Sequence, residues 1–132
     1  MPTQTRTEMY RDFLLELGYR PHVDDDGDIA FKSEGDQYYI VFSEHDEEFV
    51  VLARYRFWEV VEEEVTRTAV MDAAIQVASD IKVAKIIVGE DDDPSVMMEM
   101  FCPDPGMFPP IFERALDTLN DAVSAFRKQM GD

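Results

Sequence analysis

Between Ile29 and Phe57 the chain runs three times through alternating side chains, and the gaps between the runs are short enough for hairpins and too short for crossovers. Ile29 and Phe31 alternate with Ala30 and Lys32. From Gln37 to Ser43, Tyr38, Ile40 and Phe42 share one face, with Tyr39 and Val41 on the other. Phe49, Val51, Ala53, Tyr55 and Phe57 form a longer series of period two. Such a period places alternate side chains on opposite faces of a strand. Ser33-Glu34-Gly35-Asp36 and Ser43-Glu44-His45-Asp46 supply the turns. The expectation is a three-stranded antiparallel meander.

Helical patterns flank it. Thr5 with Glu8 three residues later is a capping box, and Gly18 suits a stop, so a helix is expected over Thr5–Leu17. Met9, Phe13 and Leu17 recur at helical spacing, widened by Tyr10 and Leu14. A second helix is expected from Thr66 or Thr68 to about Asp80, with Val70, Ala74, Val77 and Ile81 on one stripe and Met71, Ile75 and Ala78 on another. Two strands follow, Val83–Val88 and Ser95–Phe101, joined by the acidic turn Gly89-Glu90-Asp91-Asp92-Asp93-Pro94. Pro109 and Pro110 suit a helix start, where a missing N–H costs little. Ile111, Phe112, Ala115, Leu116, Leu119, Val123 and Phe126 then mark a helix to about Met130. The order predicts one α+β domain over residues 1–132. It has a five-stranded, mainly antiparallel sheet and three helices, in the order α-β-β-β-α-β-β-α.

Charge excludes some functions. Twelve Lys+Arg against 29 Asp+Glu give −17, which repels phosphate backbones and anionic lipid surfaces. No nucleic-acid and no membrane partner is expected. The 45% hydrophobic content, with nine Phe and five Tyr, separates this chain from a disordered acidic tail. The single Cys102 permits no internal disulfide, and Met1–Glu8 lacks the apolar core of a signal peptide, so a cytoplasmic location is expected.

Catalytic and metal motifs are weak. Asp24-Asp25-Asp26-Gly27-Asp28 invites a calcium reading, but aligning Gly27 with the EF-hand glycine puts His22 at the first ligand position and Ser33 at the last. The run reads as a solvated turn. Glu90–Asp93 reads as a charged hairpin tip, and Glu62-Glu63-Glu64 as favourable charge near a helix N-terminus. His22 and His45 lie in acidic loops far from Cys102 in sequence, and no surrounding motif joins them to it. Neither a phosphate loop nor a serine elbow, paired-cysteine site or His-x-x-x-His helix is present. No cofactor, metal or catalytic residue is expected.

The fifth expected strand is apolar on both faces. Val96, Met98 and Met100 point one way, and Met97, Glu99 and Phe101 the other. Helices cover one face of such a strand, while a partner or a second copy is needed for the other. Methionine suits a surface that adapts to varied apolar shapes. The following segment, with Met107, Phe108 and four prolines, is apolar for a loop. Val96, Met97, Met98, Met100, Phe101, Met107 and Phe108 are therefore the candidate partner-binding residues.

Three passages carry a family resemblance. They are Phe13-Leu14-Leu15-Glu16-Leu17-Gly18-Tyr19 before an acidic turn, the helix-to-strand passage Ala73–Val88, and the acidic hairpin leading into Val96-Met97-Met98-Glu99-Met100. Over about Tyr10–Met130 the chain resembles the type III secretion chaperone-like fold and, within it, the YbjN-like family. The resemblance implies a non-enzymatic, homodimeric protein, either a chaperone that holds an extended segment of another protein or a regulator. Together with the acidity, it leads to a module binding an apolar or basic segment of a partner protein. A regulatory domain responding to a small ligand or cation is the alternative.

Overall fold

The structure is a computed structural model, described over residues 5–58 and 67–131. Three helices pack on one face of a single antiparallel sheet. The helices are α1 (Arg6–Glu16), α2 (Arg67–Asp80) and α3 (Pro109–Gln129). The strands are β1 (His22–Val23), β2 (Ile29–Ser33), β3 (Asp36–Phe42), β4 (Phe49–Arg54), β5 (Lys85–Val88) and β6 (Pro94–Phe101). Their spatial order is β1-β2-β3-β4-β6-β5, so β1 and β5 are the edges. The α+β class and the meander stand, but the sheet has six strands, not five. The sixth is the two-residue β1, in which His22 and Val23 pair with Ala30 and Ile29. His22 therefore sits on an edge strand rather than in a loop.

Thr5 caps α1 as its spacing with Glu8 requires. Its side chain accepts from the Glu8 N–H while Glu8 reaches back to the cap backbone. The buried residues of this helix are Tyr10 and Leu14, whereas Leu17 is exposed. Two strand limits differ from the expected ones by two residues or more. β4 stops at Arg54 because Arg56 adopts φ 47, a left-handed turn that takes Phe57 off the strand line and into the core. β5 starts at Lys85 because Val83 has φ 76, outside the strand region. The expectations for Glu62, Glu63, Glu64 and Thr66 fall outside the described residues.

Register fixes which side chains face the helices. Ile29, Ile40, Leu52 and Met98 stand opposite one another across four strands, and all are buried. Arg54, Val96 and Ile86 form a second inward row, and Phe42, Val50 and Met100 a third. In β4 the core set is thus Val50 and Leu52, while Phe49, Val51 and Ala53 look to the opposite side. Onto the inward face pack Val70, Ala73 and Val77 of α2 and Phe112, Leu116, Leu119, Val123 and Phe126 of α3. At the centre Phe112 touches four rings: Phe13 at 5.4 Å, Phe31 at 5.7 Å, Phe108 at 5.6 Å and Tyr19 at 5.8 Å. Such edge and tilted pairs add to simple area burial. The polar groups beneath are partnered. Tyr38 donates its hydroxyl to Asn120 Oδ1, and Arg54 reaches Asp36 at 3.1 Å.

Candidate functional site

No described helix packs on the other side of the sheet. One row there runs Ala30, Tyr39, Ala53, Met97, Lys85, and the next runs Val41, Val51, Glu99. Phe49 and Phe101 pair beyond them with ring centroids 5.8 Å apart. Tyr55 lies against Tyr39 at 5.1 Å. Ile87 of β5 stands opposite Ser95 on the same face. The middle of this face is apolar, and an ion pair toward its β5 edge joins Lys85 Nζ to Glu99 at 2.7 Å. Phe101 is 72% exposed. An aromatic ring left so open on a sheet face is the kind of apolar surface that marks an interface.

The structure divides the seven candidate residues. Met97 and Phe101 lie on the open face. Val96 and Met98 point into the core, and Met100 is half-buried against it. Phe108 is wholly buried, in contact with Tyr10 at 4.7 Å. Met107 is exposed but sits on the 3₁₀ turn Pro105–Met107, packed by α1 and α3 on the helical side. The open face also includes Tyr39, Val51, Tyr55 and Ile87, which were not among the candidates. The signal for Tyr39, Val51 and Tyr55 is the second apolar face of the β3 and β4 runs.

Charge is uneven around this face. At the end where β3 turns into β4, the loops carry Asp24, Asp25, Asp26 and Asp28 beside Glu44, Asp46, Glu47 and Glu48. The nearby cation Arg6 already serves the backbone. Its guanidinium donates to the carbonyls of Ser43 at 2.9 Å, Asp46 at 3.1 Å, Phe49 at 3.3 Å and Glu47. It also lies 4.5 Å from the centroid of the Phe42 ring. At the opposite end arginines pair with two of the four acids of the Gly89–Pro94 turn. Arg56 pairs with Asp91 at 2.8 Å, and Arg67 with Asp92.

Ligand oxygens of Asp24, Asp26 and Asp28 lie within 4.8 Å of one another. Asp24 Oδ1 accepts the N–H groups of Asp26 and Asp28, and Asp28 Oδ1 accepts that of Phe42 at 2.9 Å. These carboxylates shape the turn and tie it to β3. Desolvation raises the Asp28 pKa above the ordinary carboxylate range; the Phe42 N–H acts against this, while Asp24 and Asp26 add to it. The folded chain thus binds this proton more tightly than the unfolded chain does. The stability linked to it is present in acid and is lost as pH rises through the raised pKa. Asp28→Asn keeps an acceptor for Phe42. It is expected to raise Tm at pH 7, with the gain over the unsubstituted chain shrinking as the pH falls below the carboxylate range in a thermal melt series.

Cys102 is buried, with its N–H on Glu48 O and its thiol 3.2 Å from Asp104 O. Burial is the main cause that pushes the Tyr10 phenol up, and its contact with Cys102 adds to it. His22 and His45 are both exposed. Among the described residues no helix is long and apolar enough to cross a membrane.

No family model matches the chain, and no curated protein matches it in sequence. Solved structures share its fold. A chain of the HopA1–SchA chaperone–effector complex superposes with TM-score 0.65 at 12% identity, covering 96% of this chain and 99% of that one. YbjN from E. coli, a proposed transcription regulator, gives TM-score 0.65 at 12% identity, covering 89% and 87%. An uncharacterized protein from Methanothermobacter thermautotrophicus gives 0.62 at 11%, covering 96% and 99%. The chain thus has the fold of a member of a chaperone–effector complex and of YbjN, and at these identities the likeness is one of fold.

Proposed function

We propose that this chain is a non-enzymatic protein-binding module, chaperone-like or regulatory, that receives an apolar or basic segment of a partner protein. The observation that carries the reading is the open sheet face: Phe49, Val51, Tyr55, Met97 and Phe101 are left without a cover among the described residues, while all three helices pack on the other side. The chaperone and regulator structures of the same fold support it. Fold alone leaves function open, so the site bears the weight.

Phe101 gives a clean test, because its ring is too exposed to matter much to folding. A partner that co-purifies with the unsubstituted chain should be retained about tenfold less by Phe101→Ser, at an unchanged Tm. Retention of the partner by Phe101→Ser would remove the open face from the reading.

The homodimer belongs to a different surface. Met71 and Ile75 of α2 are exposed beside Ala78, Ile86 and Val88, in a shallow cleft along the edge strand β5. An edge strand beside an apolar helix stripe suits pairing with a second copy. Light scattering is expected to give twice the chain mass for the unsubstituted chain and the single mass for Ile75→Asp.

A further inference from the structure

We propose that the occupant of the open sheet face is an amphipathic helix of the partner, with basic residues at the end that lies over the Asp24–Asp28 and Glu44–Glu48 loops. This rests on the protein-binding reading above and specifies what is bound.

Backbone chemistry selects a helix. The strands that carry the apolar patch, β3, β4 and β6, are each paired on both sides. They have no free row of N–H and C=O groups to offer a segment lying across them. An extended segment on such a face would bury its own backbone donors and acceptors unpaired, which is costly. A helix satisfies its backbone internally and presents only side chains, and helix on sheet is the ordinary way to close a sheet face. Length agrees. The eight residues of β6 extend for about 26 Å at about 3.3 Å per residue. A helix of about 16 residues covers that span at about 1.5 Å per residue.

Charge selects its polarity and argues against a second copy. The larger acidic group, eight carboxylates in the Asp24–Asp28 and Glu44–Glu48 loops, gathers at one end, where Arg6 is committed to backbone carbonyls. At the other end Arg56 and Arg67 are already paired with Asp91 and Asp92. A second copy brings the same charge of −17 and no unpaired basic segment from its arginine end. A partner helix with Lys or Arg at one end meets apolar surface in the middle and carboxylates at that end. Complementary rim charges of this kind set specificity and salt dependence more than total affinity.

The test uses three synthetic 16-residue peptides labelled for fluorescence anisotropy, with the full chain as receptor. The first has leucines at helical spacing and lysines at one end. The second is identical apart from two central prolines, and the third has glutamates in place of the lysines. The first peptide is expected to bind and to gain helical circular dichroism on binding. The proline and glutamate peptides, and the first peptide against Phe101→Ser, should each bind about tenfold more weakly or worse. Equal binding of the proline peptide would show an extended occupant and overturn the proposal. So would equal binding of the glutamate peptide, or an affinity unchanged by Phe101→Ser. If none of the three binds, the helix proposal fails. The broader reading then still stands if Phe101→Ser loses a co-purifying partner, and falls with it if it does not.

Discussion

Phe112→Ala is expected to lower the unfolding free energy by about 3–5 kcal/mol, the cost of deleting a large aromatic side chain from a closed core. Phe112 is wholly buried and touches the rings of Phe13, Tyr19, Phe31 and Phe108. Those neighbours come from α1, the segment after it, β2 and the turn before α3. No single element can move in to fill the space. A domain of this size has only about 5–15 kcal/mol in total, so the variant loses roughly a fifth of its stability or more. Urea unfolding followed by circular dichroism reads this directly. A loss under about 1 kcal/mol would mean the cluster is not closed as described. Leu15→Ala, on the exposed side of α1, serves as the control.

Arg6→Ala is expected to cost about 2–3 kcal/mol, in the range for hydrogen bonds made by a charged group. One guanidinium gathers carbonyls of Ser43, Asp46, Glu47 and Phe49, tying the start of α1 to the β3–β4 loop. Removing it leaves those carbonyls to water and takes a cation away from the acidic β3–β4 loop. The loss should therefore be accompanied by faster amide exchange in residues 43–49, while α3 keeps its protection. Arg6→Lys restores the charge without the planar fork, and is expected to recover less than half of the loss. Full recovery by lysine would show that charge rather than carbonyl geometry holds the loop.

Local rules carried much of the fold. The Thr5 and Glu8 box marks the start of α1, and Pro109 and Pro110 mark that of α3. The hairpins followed from period two and from turn residues. What escaped were features that depend on packing. β1 has only two residues, too few to show a period, and it exists because it pairs with β2. In β4 both faces are apolar, so alternation alone does not say whether Val50 and Leu52 or Phe49 and Val51 meet the helices. In α1 the stripe widened by Tyr10 and Leu14 is the one that is buried, because Phe108 and Phe42 wait opposite Tyr10.

The candidate site was legible in the same partial way. The alternation in β6 correctly separates Val96, Met98 and Met100 from Met97, Glu99 and Phe101. Which of the two sets meets the helices is fixed only when α2 and α3 choose a face. Once they do, Val96, Met98 and Phe108 go to the core, and Met97 and Phe101 remain with Tyr39, Val51 and Tyr55. These neighbours come from strands far apart in sequence, so no linear motif brings them together.

Methionine oxidation footprinting, with and without the lysine-ended helical peptide at saturation, reads whether the open sheet face is the binding surface. Met97 lies on the open face, Met98 points into the core and Met71 lies on α2, so one digest reads all three environments. Met97 is expected to oxidise readily in the free chain and to be protected when the peptide is bound, with Met98 slow throughout and Met71 unchanged. A Met97 that oxidises at the same rate with and without saturating peptide would contradict this.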